Sequence, residues 1–160
     1  MIFNSILIAN RGEIACRIIQ TAHEMGVRCV AVYVDDDRES PYVKMADQSV
    51  RLPDDGYLDG KEIIKAAKEA GAEAIHPGYG FLSENASFAR KVIKEGLIWI
   101  GPSAHAISVM GDKLKAKELA EKAEVPTLPM ASSSKDANKI GYPLLIKAAA
   151  GGGGKGMRIV

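Results

Sequence analysis

Short β-branched apolar runs alternate with amphipathic helical stretches over the first two thirds of the chain, joined by short connections. "SILIAN" reads as a buried strand ending in a polar turn. From Glu13 the period changes, and Ile14, Ile18, Ile19, Ala22 and Met25 fall on one helical face, with Gly26 placed to stop the helix. "RCVAVYV" is a second strand, followed by the acidic turn "DDDRES". "KEIIKAAKEAG" follows Asp59 and Glu62, which have the spacing of an N-cap and its N3 partner, and Gly71 terminates it. "AEAIH" is a strand broken by Pro77, "ENASFARKVIKEG" a helix and "LIWIG" a strand. Continuous apolar strands alternating with helices require a parallel sheet covered on both faces. The expected fold class is therefore α/β, with a Rossmann-like parallel sheet.

Beyond this unit, "SAHAISVMG" and "DKLKAKELAEKAE" read as helices with Ser103 and Asp112 as N-caps. The texture then changes to a Pro-, Ser- and Gly-rich connector, "VPTLPMASSSKDANKIGYP". Strand, glycine loop and strand follow in "YPLLIKAAAGGGGKGMRIV". Charge nearly balances, with 21 basic and 20 acidic residues, so no basic stripe points to nucleic acid. The N-terminal apolar run is too short for a signal peptide or a membrane span. Cys16 and Cys29 sit in apolar periodic segments and read as small buried residues in a reducing compartment. His23, His76 and His105 are scattered in sequence, which argues against zinc, and no metal ligand is assigned.

In open parallel sheets, ligands bind outside the carboxyl ends of the strands. Two unusual loops fall at that edge: "NRGEIACR" and "HPGYGFLSEN". Neither carries the three glycines of a dinucleotide fingerprint, so NAD binding is not supported. The second gathers an imidazole, a phenol, a carboxylate and a carboxamide around two glycines, a tight turn or a site. The later glycine loop is not a Walker A cradle. Ala149 and Gly156 occupy positions where that motif needs Gly and Ser/Thr, and a strand follows instead of a helix. Glycines let backbone N–H groups approach phosphate oxygens closely. Lys147 and Lys155 could add charge, which favours a phosphate-closing flap over a flexible hairpin tip.

Four segments, "ANRGEIACR", "AIHPGYGFLSEN", "IGPSAHAISVMGDK" and "IGYPLLIKAAAGGGGKGMR", together resemble the N-terminal portion of a biotin carboxylase, nearly continuously from residue 3 to residue 160. The nearest likeness is to the biotin carboxylase subunit of acetyl- or propionyl-CoA carboxylases of fatty-acid metabolism. The resemblance implies a preATP-grasp domain over residues 1–112 and the truncated start of an ATP-grasp domain over 113–160. It implies an ATP-dependent ligase that phosphorylates bicarbonate with MgATP and carboxylates biotin on a separate carrier domain. Lys113 and Lys147 match nucleotide-contacting lysines, and Gly153 and Gly154 match the flap over the phosphates; Lys155, by its place inside the loop, could add a further phosphate contact. His76, Tyr79 and Gly80 match a loop on the biotin side. Arg17 and Glu24 match a homodimer interface.

No catalytic residue of the family falls in this chain, and the Mg²⁺ ligands are expected beyond position 160, so the chain alone is expected to be inactive. Residues 1–125 are expected to fold by themselves, with 130–160 leaving strand edges exposed. The implied partners are the biotin carboxyl carrier domain, a carboxyltransferase subunit and a second copy, without nucleic acid or membrane. The implied compartment is the cytoplasm, or the mitochondrial matrix in a eukaryote. One departure is "MASSSKDAN", where the family has a longer segment ending in a helix; here a turn or two is expected. The alternatives are a non-catalytic dimerisation or subunit-binding module, or the front end of a pyruvate, methylcrotonoyl-CoA or urea carboxylase.

Overall fold

The computed structural model describes residues 3–53, 56–131, 133–147 and 157–160, and the chain divides into two compact units, 1–107 and 108–160. The first is built on a parallel sheet of β1 (Ser5–Ile8), β2 (Arg28–Tyr33), β3 (Gln48–Arg51), β4 (Ala74–His76) and β5 (Ile98–Trp99). The spatial order is β3-β2-β1-β4-β5, so the direction of winding reverses between β1 and β4. Ile8 pairs with His76 at the carboxyl ends of those two strands, and Ala9 N–H donates to His76 O at 2.8 Å.

Alternate side chains of the central strands supply two cores. Leu7, Val30, Val32 and Ile75 pack with residues of α3 (Gly60–Glu69) and α4 (Ala86–Lys94). Ile6, Ile8, Cys29, Ala31 and Ala74 pack with α1 (Gly12–Glu24) and with Tyr42 of α2 (Pro41–Met45). This period-2 split is what a sheet covered on both faces demands. The helix signals read from the sequence work as expected. Asp59 accepts from Lys61 N at 2.7 Å, and Gly26 and Gly71 take the left-handed backbone that stops α1 and α3. The structure adds an N-cap at Asn85, which accepts from Phe88 N.

Three expectations need correction. Met25 is not on the buried face of α1; it is 54% exposed, because the helix ends at Glu24 and Met25 is its C-cap. Cys29 is fully buried, but Cys16 is only half-buried, since Ala15 and Ile19 take the centre of the face. Two elements, α2 and β3, have no counterpart among the segments expected from the sequence. β3 is an edge strand with a mostly exposed, polar sequence in which only Val50 packs against a core, so it lacks the apolar signal of its neighbours.

The second unit holds α6 (Lys113–Lys122), capped by the Asp112 carboxylate, then a 3₁₀ turn (Ser134–Asp136), α7 (Ala137–Ile140) and an antiparallel pair, β6 (Leu145–Ile146) with β7 (Arg158–Ile159). α5 (Ala104–Met110) spans the boundary between the units, and Ser103 Oγ accepts from Ala106 N at 3.1 Å. The connector thus carries a single short helix of four residues, as its length requires. Both strands of this pair are exposed. Among the described residues, no helix is long and apolar enough to cross a membrane.

The first turn of α3 is packed too tightly for a side chain at Gly60. A Cβ there would lie 2.6 Å from Cδ2 of Phe88, whose buried ring also meets Trp99 edge-on at 5.7 Å. Gly60→Ala gains at most about 1 kcal/mol of helix propensity against roughly 1–3 kcal/mol of overpacking. The expected result is a lower midpoint of urea unfolding; an unchanged or raised midpoint would contradict this packing.

Candidate functional site

The reversal of strand order between β1 and β4 opens a crevice at their carboxyl ends, the place where open α/β sheets bind ligands. Two loops meet there. Asn10 and Arg11 carry the chain from β1 into α1, and residues 77–85 carry it from β4 to α4.

Asn10 is buried, and its carboxamide Nδ2 donates to Pro77 O and Tyr79 O, both at 2.8 Å. Its Oδ1 accepts from Arg11 N. One side chain thereby fixes the path of the "HPGYG" turn. Gly78 sits against that carboxamide with φ +65°, and a Cβ there would come within 2.7 Å of Asn10 Nδ2. Both the backbone conformation and the space require glycine.

Arg11 reaches in the other direction. Its Nε and Nη2 donate to Asp37 at 2.6 and 2.5 Å, a bidentate pair with a buried carboxylate. Tyr57 Oη donates to the same carboxylate at 2.6 Å and lies 2.8 Å from the buried Tyr42 hydroxyl. The Tyr57 ring stacks on Phe81, with centroids 5.6 Å apart and planes 5° from parallel, and Arg11 Cζ lies 5.9 Å from the Tyr57 centroid. Phe81 has φ +42°, a left-handed conformation that costs a bulky residue about 1–3 kcal/mol. Stacking returns roughly 0.5–1.5 kcal/mol.

The electrostatics follow from this network. The Arg11 hydrogen bonds hold the Asp37 carboxyl below its ordinary range, with the Tyr57 hydroxyl adding to the effect and burial opposing it. Burial pushes the Tyr57 and Tyr42 phenols upward, so both remain neutral donors. Burial pushes His76 down, favouring the neutral imidazole. Its Nδ1 accepts from Gly78 N–H at 3.0 Å, so the ring proton sits on Nε2. Tyr79 is 60% exposed, and its hydroxyl donates to the Glu13 carboxylate.

His76 ends β4, and Tyr79 and Gly80 follow in the loop after it, where Tyr79 also meets Glu13. Arg17 and Glu24 are both exposed on α1, two turns apart on one side of the helix; Arg17 donates to Thr21 Oγ1, and Glu24 accepts from Gln20 at 3.4 Å. Lys113 opens α6 and the exposed Lys147 follows β6; both belong to the second unit. Gly153, Gly154 and Lys155 lie outside the described residues.

The sequence reading did not single out Asn10, Arg11, Asp37, Tyr57 or Phe81. Asn10 and Arg11 lay inside a suspect loop, but nothing in "DDDRES" distinguishes its buried third aspartate from two solvated ones.

Comparison with known proteins gives two consecutive matches. The biotin carboxylase N-terminal domain model matches residues 2–107, and the ATP binding domain model of the carbamoyl-phosphate synthase L chain matches residues 112–160. The propionyl-CoA carboxylase alpha chain of Ruegeria pomeroyi is 48% identical over 98% of this chain and 25% of its own length. The human mitochondrial propionyl-CoA carboxylase alpha chain is 50% identical over 98% and 23%, and the 2-oxoglutarate carboxylase small subunit of Hydrogenobacter thermophilus 46% over 98% and 36%. The chain therefore spans between 23% and 36% of the length of these relatives. The crystal structure of the Hydrogenobacter thermophilus 2-oxoglutarate carboxylase biotin carboxylase domain dimer, in complex with MgADP, ADP and bicarbonate, superposes with a TM-score of 0.93 at 45% identity, covering 99% of this chain and 38% of that one. The Campylobacter jejuni biotin carboxylase–βγ-ATP complex gives the same score, identity and coverage.

The Arg11–Asp37 pair makes a pH prediction. A folded-state pKa below the unfolded value means stability that is present above the unfolded pKa and lost as pH falls through the folded one. Stability should therefore decline below about pH 4, the ordinary aspartate range. In Arg11→Met the Asp37 carboxyl is no longer held down, so the decline should be shallower and start from a lower plateau. Urea unfolding as a function of pH measures both; parallel curves would remove Asp37 as a contributor.

Proposed function

We propose, from the premise that this chain belongs to the biotin carboxylase family, that it is the front part of an ATP-dependent biotin carboxylase, which activates bicarbonate with MgATP and carboxylates biotin on a carrier domain. One observation carries the reading. Two family matches run in order across the chain, with relatives 46–53% identical over nearly all of it. Those relatives are named for propionyl-CoA, methylcrotonoyl-CoA and 2-oxoglutarate. In this reading they share biotin carboxylation and differ in the acceptor, and an acetyl- or propionyl-CoA acceptor would be chosen by a separate carboxyltransferase.

In this reading the two units divide the work. In the second, Lys113, Lys147 and the flap around Gly153, Gly154 and Lys155 hold the nucleotide phosphates. Phosphoryl transfer needs fixed positive charge and backbone donors around the β- and γ-phosphates, and lysines beside a glycine loop are suited to supply them. A closing flap also excludes water from a labile carboxyphosphate. When bound, Mg²⁺ would offset the phosphate charge; no residue of this chain is assigned to hold it. In the first unit, the turn with His76, Tyr79 and Gly80 lines the biotin side. The Asn10 clamp and the neutral His76 support that role, because an uncharged, rigid turn suits the uncharged ureido ring of biotin. Arg17 and Glu24, exposed on α1, are suited to a homodimer contact, and a dimer is the form named for the Hydrogenobacter thermophilus relative. The compartment would be the cytoplasm or the mitochondrial matrix.

The test is steady-state, biotin-stimulated and bicarbonate-dependent ATP cleavage by the polypeptide carried on to the length of its relatives. Lys147→Gln deletes one charge-assisted phosphate contact, about 1.5–3 kcal/mol, so KM for ATP should rise roughly tenfold to a hundredfold. Absence of biotin-stimulated cleavage in the parent, or an unchanged KM in the variant, would count against the reading.

A further inference from the structure

We propose that His23, Cys29 and Asp47 form a binding site for a divalent cation of the zinc class, at the edge of the sheet opposite the candidate site. The three residues come from the last turn of α1, the start of β2 and the turn before β3. His23 Nε2, Cys29 Sγ and one Asp47 carboxylate oxygen all lie within 4.8 Å of one another. The imidazole meets Asp47 Oδ2 at 2.9 Å, and that oxygen also accepts from Cys29 N–H at 2.7 Å. The sequence spacing hides this cluster, because its members are separated by a helix end and by most of β2 and all of α2.

The donor set is nitrogen, sulfur and oxygen, the ligands zinc takes at about 2.0–2.3 Å. Around one tetrahedral ion, such atoms stand ~3.5 Å apart. The His–Asp pair needs to open a little from 2.9 Å, and the contacts to sulfur need to close from at most 4.8 Å. Access and burial are also suited to an ion. The His23 and Asp47 side chains are 40% and 45% exposed and form the mouth, while Cys29 is fully buried behind them. Asp47 is already fixed by the β2 backbone, so one ligand is preorganised.

The charge balances. Cys29 thiolate and Asp47 carboxylate neutralise a 2+ ion, with neutral imidazole as third ligand and water as fourth. In the free site, burial first and the Asp47 charge second hold the Cys29 thiol up at about 11, and its S–H donates to Val27 O at 3.6 Å. Binding breaks the S–H bond, forms the sulfur–metal bond and releases one proton to solvent. An ordinary His–Asp ion pair needs no thiol behind it; the third donor is what distinguishes a site from a pair.

The experiment titrates cadmium, as a spectroscopic stand-in for zinc, into the purified, reduced, metal-free chain and follows the ultraviolet thiolate-to-cadmium charge-transfer band. A band saturating at one equivalent is expected, kept in Cys16→Ser and lost in Cys29→Ser. Because Cys29 lies in the core, the exposed His23→Ala variant is the second arm. It should bind at least about tenfold more weakly, since even second-shell changes cost that much, with far-ultraviolet circular dichroism unchanged. No band, a band that survives Cys29→Ser, or unchanged affinity in His23→Ala would overturn the proposal.

Discussion

The two hydrogen bonds from the Asn10 carboxamide to Pro77 O and Tyr79 O join the ends of β1 and β4, where the winding of the sheet reverses. A parallel sheet leaves such a crevice wherever its strand order turns back. Left alone, the loops around it would be free to choose many paths. Here a single buried side chain satisfies two carbonyls of the second loop, and Gly78 is present because only glycine fits against that carboxamide with a positive φ. The turn that follows β4 is therefore part of the rigid scaffold.

The clamp is backed by a second chain of contacts from the adjacent residue. Arg11, Asp37, Tyr57 and Phe81 run from the end of β1 back to the far side of the same turn. The left-handed Phe81 costs about 1–3 kcal/mol, and its stacking on Tyr57 offsets only part of that. The turn is held by its neighbours on both sides rather than by its own preference. Such strain persists only where the surroundings over-determine it, and it lies beside Tyr79 and Gly80, the residues proposed to line the biotin side. The buried Asp37 is tolerable because it receives three donated hydrogen bonds, two of them from a guanidinium.

Much of the fold was legible because its signals are local. β1, β2 and β4 are apolar on both faces, and Asp59, Gly26 and Gly71 mark helix ends by chemistry that acts within four residues. β3 was not legible: an edge strand needs few apolar residues, and "QSVR" supplies one. Met25 falls in phase with the buried face, but helical periodicity carries no information about where the helix stops. At the site, the "HPGYGFLSEN" turn was conspicuous by its glycines and polar groups. What holds it was not, because Asn10 lies 67 residues from Pro77, Arg11 lies 26 from Asp37, and no local pattern encodes a contact at that range.

The most direct test of this arrangement is the pair of KM values, for free biotin and for ATP, of Asn10→Ala in the polypeptide carried on to the length of its relatives. Releasing the turn should raise KM for biotin by about tenfold, the equivalent of one or two lost hydrogen bonds, and leave KM for ATP unchanged. An unchanged KM for biotin, or an equal rise in both, would show that the clamped turn does not serve the biotin side.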